Sequence, residues 1–224
     1  MGRALRTDVG GQVYHVLNRA NARLPLFTKK DDYELFEKVL EQAKERSGMR
    51  IMSYSIMPNH WHLVLYPHQD GELAKFVNWL TLTHTQRWHA VHNTIGQGHL
   101  YQGRYKSFIC ETNEHVIQLV RYVERNPLRA KLVKQAQDWR WGSAWRRLHG
   151  SVQQQKLLSP WPVSMPKNYL SFLNQPQSAS EVEAIRQSVT RGKPFGSEVW
   201  TGHTIKKFKL ETTVKPRGRP KKGS

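Results

Sequence analysis

The 224-residue chain has a single cysteine, Cys110, so no disulfide can form within it, and a reducing compartment fits. Acid is scarce: 17 Asp and Glu stand against 35 Lys and Arg, a formal charge of +18. An excess of that size draws a protein to polyanions and makes the association salt-dependent, which points to nucleic acid or an acidic membrane surface. Long apolar runs are missing too. None approaches the roughly 18 residues needed to span a bilayer, and no signal-like apolar segment opens the chain, so no membrane role is expected and a cytoplasmic setting is. The length suits one sizeable core plus an appendage.

What is present reads as an alternation of strands and helices. Gln12 to Asn18 is a β-rich run, and Arg19 to Arg23 is a polar loop. Lys30 to Arg46 sets Tyr33, Phe36, Val39, Leu40 and Ala43 at helical spacing, with Asp31 and Asp32 in the first turn and Gly48 beyond the end. Arg50 to Ile56 and His60 to Tyr66 are two further strands; between them Pro58 lacks a donor N–H and Asn59 tolerates turn dihedrals. Glu72 to Val91 predicts a second helix, Tyr101 to Ile109 a fourth strand, and Glu111 to Arg125 a third helix. This order predicts an α+β domain of the ferredoxin-like split βαβ type, an antiparallel sheet with helices on one face and the other face free for substrate.

Within that frame, His60-Trp61-His62 stands out. Strand side chains alternate, so the two imidazoles face one way and Trp61 the other. The pair reads either as ligands for one divalent ion or as two surface histidines. Tyr122 and Asn126, four apart on the third helix, share one helical face, and Pro127 ends or bends that helix. Tyr122 reads as a core or phosphate-binding residue, or as a nucleophile. The last role needs a nearby cation or base, because a free phenol ionises only near pH 10. His84, His89 and His92 sit in the second helix, and His89 and His92, although spaced to chelate, read as helix-surface or phosphate-contacting residues.

Three blocks occur in order: Met57-Pro58-Asn59-His60-Trp61-His62-Leu63-Val64, Gly103-Arg104-Tyr105-Lys106, and Tyr122-Val123-Glu124-Arg125-Asn126-Pro127-Leu128-Arg129-Ala130. Together they resemble the single-tyrosine HUH transposases of the insertion-sequence type, and within these the group associated with repetitive extragenic palindromes in bacterial genomes. The resemblance covers about residues 10 to 150 and implies an HUH catalytic domain there. It implies that His60 and His62 bind Mg²⁺ or Mn²⁺, with Asn126 completing the metal site, and that Tyr122 is the nucleophile. The implied reaction is cleavage and rejoining of single-stranded DNA through a 5′-phosphotyrosine, on palindromic or hairpin ends, in a bacterial cytoplasm beside the nucleoid. Monomeric and homodimeric relatives are both compatible with this chain.

The DNA-binding candidates are cationic or aromatic. Arg104, Tyr105 and Lys106 mix a stacking plate with phosphate neutralisers. Arg19 and Arg23, in the polar loop, and Arg121, next to Tyr122 in sequence, are further candidates, and Arg146 and Arg147 follow a Trp-rich stretch in which Trp141 or Trp145 is expected to pack. Residues 151–176, rich in Ser, Gln and Pro, read as a linker or irregular wrap; 177–224 read as a helical, basic DNA-binding extension or a cover for the catalytic domain. Its end, Lys215 to Lys222, contains Arg217-Gly218-Arg219-Pro220, suited to a narrow A·T-rich minor groove or to nonspecific attraction. Two rival functions fit the same fold: a non-catalytic protein that recognises structured DNA or RNA ends, and a metal-dependent phosphodiesterase using water.

Overall fold

Period-two alternation gives each strand two faces, and here both are apolar. Tyr14 and Val16 of β1 (Val13–Arg19), Ile51, Tyr54 and Ile56 of β2 (Arg50–Met57), and Trp61, Leu63 and Leu65 of β3 (His60–Tyr66) share one buried cluster with α1 (Lys30–Ser47) and α2 (Glu72–Val91). Val13, Met52 and Val64 on the opposite face, with Phe108 and Cys110 of β4 (Lys106–Cys110), pack instead on Val116, Leu119, Val120 and Val123 of α3 (Glu114–Glu124). The computed structural model describes residues 6–215. Its four strands form one antiparallel sheet in the order β2-β3-β1-β4.

The expectation of helices on one face and a free face for substrate is therefore corrected. A strand buried on both sides reads as a continuous apolar run, as Ile51-Met52 and Leu63-Val64-Leu65 do. α3 lies across the second face and covers the strands that carry the histidines. The fourth strand starts five residues later than expected, at Lys106, because Gly103 adopts φ +139° and turns the chain; Tyr101 keeps only an isolated bridge to Ala20. α3 starts at Glu114, where the Asn113 side chain accepts from the His115 N–H at 2.9 Å. The helix breaks at Arg125, and α4 (Asn126–Arg129) follows with Pro127 in its first turn.

Later segments close the sheet edges. Ile56 donates to the Trp141 carbonyl at 2.9 Å and Ser159 to that of Ile51 at 2.7 Å on the β2 edge, while Phe195 bonds Ile109 and Glu111 at 2.8 Å each on the β4 edge. α5 (Ser143–His149), α6 (Val152–Gln155), α7 (Tyr169–Asn174), α8 (Ala179–Arg191) and α9 (Glu198–Lys207) complete the element order. Residues 151–176 do not act as a spacer. Leu157, Tyr169 and Leu173 are buried against the body, and the Trp161 indole donates to the Met52 carbonyl at 3.1 Å. The helix expected at 204–210 runs instead over α9, whose Ser197 side chain caps the Trp200 N–H. Arg217 and Arg219, with the basic segment around them, lie outside the described residues.

Candidate active site

The turn between β2 and β3 is pinned from outside. The Pro58 carbonyl accepts from Leu26 and Phe27 at 2.8 and 2.9 Å, and that of Asn59 accepts from Ala20 at 2.9 Å. β3 then leaves in fixed register, His60 opposite Arg19 and His62 opposite Leu17. The two imidazoles share one face with centroids 5.0 Å apart, while Trp61 is fully buried on the other and donates to the Tyr101 hydroxyl at 3.0 Å. That hydroxyl also meets His84 Nδ1 at 2.8 Å, so His84 is an interior residue. His89 and His92 take separate partners, Thr94 and Asp32, at 2.7 and 2.8 Å.

α3 brings Tyr122 to the histidine face. Its ring centroid lies 6.3 Å from that of His62 and 6.5 Å from that of His15, edge-on to both, and the residue is 6% exposed. Two further residues join the cluster. His15, on β1, places Nε2 2.8 Å from His62 Nδ1 and stacks on Phe108. Arg129 reaches back from α4: Nη2 donates to the Tyr122 carbonyl at 2.6 Å and to Asn126 Oδ1 at 2.8 Å, and Cζ sits 4.2 Å over the Tyr122 ring. Its Nη1 donates to Gln177 Oε1 at 2.9 Å. Sequence reasoning assigned neither residue a role. The available signals were a lone histidine inside an apolar strand and an arginine seven positions after Tyr122, two helical turns along the same face.

Burial sets the electrostatics. It lowers His15 to about 3, and lowers His60 to about 4 with help from Arg19. Burial, followed by His60 and His15, holds His62 well below its ordinary value. All three rings are thus neutral at pH 7. Burial also brings the Arg129 guanidinium down to about 10, against the pull of Tyr122, and it stays charged at pH 7.

These donors suit a divalent cation. His60 Nδ1 donates to Asn59 Oδ1 at 2.7 Å, which leaves Nε2 bare; when His62 Nδ1 donates to His15, His62 Nε2 is bare as well. Metal-bound histidines commonly engage the second ring nitrogen in this way. Among the described residues no group of three or more His, Cys, Asp or Glu could hold a metal, so the histidine pair would need water or substrate oxygens beside it. Asn126 does not present a free amide: Oδ1 accepts from Arg129 and Nδ2 donates to the Val123 carbonyl at 3.2 Å.

The DNA-binding candidates divide. Arg23, Arg104 and Lys106 are exposed, and Arg19 is half-buried beside His60. Tyr105 is 8% exposed with Arg6 over its ring, so it is no open stacking plate. Arg121 and Arg146 are corrected, since both are buried. Arg121 donates to the carbonyls of Gln175 and Pro176 and lies over Phe172, while Arg146 pairs with Glu37 and Glu41 and donates to the Tyr54 hydroxyl. Arg147 is held by buried Glu124 through both terminal nitrogens at 3.1 Å, so it is not left available for phosphates. No helix among the described residues is long and apolar enough to cross a membrane.

Comparison with known proteins identifies the family and the fold. The family model described as "Transposase IS200 like" matches residues 8–126, more than half of the chain. Among solved structures, a REP-associated tyrosine transposase bound to a REP hairpin aligns over 80% of this chain and 96% of its own, at 16% identity and a TM-score of 0.56, which is a likeness of fold. A candidate transposase from Deinococcus radiodurans aligns over 56% of this chain and 95% of its own, at 19% identity and a TM-score of 0.40, too loose to carry an argument. No curated protein matches the sequence.

Proposed function

The chain belongs to the IS200-like transposases, and from that membership we propose that it cuts and rejoins single-stranded DNA through a covalent bond between Tyr122 and a 5′-phosphate. The observation that carries the reading is the edge-on approach of Tyr122 to His62, 6.3 Å between centroids, on the sheet face that also bears His60. The sheet order β2-β3-β1-β4 supports reading residues 10–150 as a ferredoxin-like split βαβ domain that carries the chemistry, and in this proposal the basic C-terminal part, 177–224, adds DNA contact.

In this reading the Tyr122 oxygen attacks phosphorus, a phosphotyrosine bond forms, and the DNA 3′-oxygen leaves and takes up a proton as a 3′-OH. Attack by a 3′-OH on the same phosphorus reverses the step and releases Tyr122, so strands are exchanged without another energy source. His60 and His62 would hold Mg²⁺ or Mn²⁺ through Nε2, and the ion, when bound, supplies Lewis-acid polarisation of the phosphate. Asn126 lies one turn beyond Tyr122, and its present bond to Arg129 makes it a support for that guanidinium before it is a ligand. Arg129 fixes the tyrosine ring and keeps a positive charge beside the phenol as negative charge develops there. The substrate we propose is single-stranded DNA with a palindromic hairpin, by analogy with the REP hairpin named for the relative of similar fold. A homodimer is compatible with this scheme and not required by it.

The test is a labelled hairpin oligonucleotide with Mg²⁺ or Mn²⁺, resolved under denaturing conditions. A covalent adduct with the intact chain that disappears in Tyr122→Phe supports the reading. Cleavage without any adduct indicates water as nucleophile, and metal-independent binding without cleavage indicates a non-catalytic end-binding protein.

A further inference from the structure

On the β2 side of the sheet, α5 and the 165–171 segment enclose an apolar pocket of about 290 Å³ that shares no residue with the histidine–tyrosine cluster. Ligand sites run to about 300–1,000 Å³, so this one suits one or two side chains. Leu148 on α5 and Met165 and Leu170 on the facing segment line it while 47, 42 and 40% exposed, and Ala144 is buried behind them. Exposed apolar residues scattered singly are ordinary, whereas three converging on one pocket mark a contact surface. The pocket is also held in shape. Buried Tyr169 donates its hydroxyl to Glu124 at 2.8 Å, and Arg147 donates to the same carboxylate at 3.1 Å through both terminal nitrogens. A preformed pocket loses little freedom on binding.

Charge selects the occupant. Residues 139–180, which supply every lining residue, include Arg140, Arg146, Arg147, Lys156 and Lys167 and no Asp or Glu. Arg147 is already paired with Glu124. The Lys167 ammonium and the Asn168 side-chain amide, both exposed at the pocket, make no hydrogen bond or ion pair among the described residues. Two free donors beside an apolar pocket fit a carboxylate that neighbours an apolar side chain. A second copy of this chain, at +18, brings the wrong charge, as does its own basic segment around Arg217 and Arg219. DNA also fits poorly: bases stack on open aromatic faces beside phosphate-binding cations, and the lining aromatic, Tyr169, is 5% exposed.

We propose that this pocket docks an acidic peptide segment of a partner protein, with one apolar side chain inserted between Leu148, Met165 and Leu170 and a neighbouring carboxylate on Lys167 and Asn168. Burial of the apolar anchor supplies affinity, and the acid-free surroundings supply encounter rate and selection. The inference is independent of the phosphotyrosine reading. Because the pocket and the histidine face share no residue, partner and DNA are bound together rather than in competition.

The test is fluorescence anisotropy of the full-length protein with labelled pentapeptides in which a pair of aspartates flanks a central Leu, Met, Phe or Ser on each side. The best apolar peptide is expected to bind about tenfold more tightly than the serine peptide, the gain from burying one side chain. The serine peptide reports the attraction of any acidic chain to so basic a protein. Leu148→Ser/Leu170→Ser, confined to exposed positions, is expected to bring the apolar peptides within about threefold of the serine peptide with the circular dichroism spectrum unchanged. Lys167→Glu is expected to weaken the best peptide by about fivefold. Hairpin DNA affinity should be the same in all three proteins, with or without peptide. Equal binding of apolar and serine peptides, an apolar preference that survives the leucine variant, or no loss in Lys167→Glu overturns the proposal. Weakened hairpin binding in these variants would put the pocket on the DNA path and overturn it too.

Discussion

Four histidines, 15, 60, 62 and 84, are held neutral by burial, and this makes the fold sensitive to mild acid. His15 and His84 are lowered to about 3, His60 to about 4, and His62 well below 6.5. Each titrates in the unfolded chain near 6.5, so between pH 6.5 and the folded values the unfolded state binds protons that the folded state refuses. Their stability contribution is therefore complete above pH 6.5 and falls as pH drops toward the folded pKa values. At pH 5 the differential is about 2 kcal/mol for a histidine such as His84, against a typical total stability of about 5–15 kcal/mol, and the three mutually contacting histidines act in the same direction. Urea denaturation of the metal-free protein at fixed ionic strength is expected to give a flat midpoint from pH 7 to 8 and a steep fall from pH 6.5 to 5. His84, packed on the sheet face opposite His60 and His62 and hydrogen-bonded among the described residues to Tyr101, offers a separate subtraction. His84→Gln should weaken the pH dependence by about one proton, close to 1.4 kcal/mol per pH unit. A stability that stays level from pH 7 to 5, or a slope untouched by His84→Gln, would refute the linkage.

Arg129→Gln is expected to slow adduct formation on the order of 10²-fold with little change in DNA affinity, because it frees the tyrosine ring without altering the exposed cations. Partial recovery with added guanidinium, measured in the same gel assay, separates charge at the ring from general disruption. Replacing Glu124 by Ala should destabilise the fold by about 3–5 kcal/mol in urea, since it removes the buried carboxylate that holds half-buried Arg147. It also removes the acceptor for Ser143 Oγ at 2.6 Å and for the Tyr169 hydroxyl at 2.8 Å. His15→Phe keeps a ring against Phe108 but removes the partner of His62 Nδ1, and titration calorimetry with Mn²⁺ should show a loss of about 10–100-fold in affinity. Unchanged Mn²⁺ binding in that variant would mean that His15 does not orient the ligand.

The two histidines were legible from sequence because strand alternation is local: His60 and His62 share a face whatever the rest of the chain does. Tyr122 needed the three-block resemblance, since a tyrosine on a helix gives no sign of which sheet face its helix will cover. The covering of that face was misread for the same reason. α3 carries an apolar stripe that required a partner, yet only the second apolar face of β1, β2, β3 and β4 reveals where it docks. His15 stayed invisible because its contact with His62 spans 47 positions and depends on the β1–β3 register. The basic residues failed differently. Net charge says nothing about which arginines face inward, and Arg121 and Arg146 sit among carbonyls and carboxylates that lie elsewhere in the sequence.

The +18 charge and the neutral histidines pose one electrostatic problem together. A strongly basic chain attracts DNA, and it also repels the divalent cation that the histidine pair would hold. Protonated imidazoles would add to that repulsion and remove the lone pairs needed for binding. Burial of His15, His60 and His62 keeps the imidazoles uncharged well below neutral pH, so the local site remains a donor set inside a cationic molecule. Arg19 and Arg129 carry charge near His62, and Arg129 is turned onto the Tyr122 ring and three oxygen acceptors. Long-range attraction is thus left to exposed cations such as Arg23, Arg104 and Lys106, while the interior is kept neutral where a dication would bind. Raising salt should accordingly weaken DNA capture far more than it weakens metal binding, because exposed charges are screened and the buried imidazoles carry none.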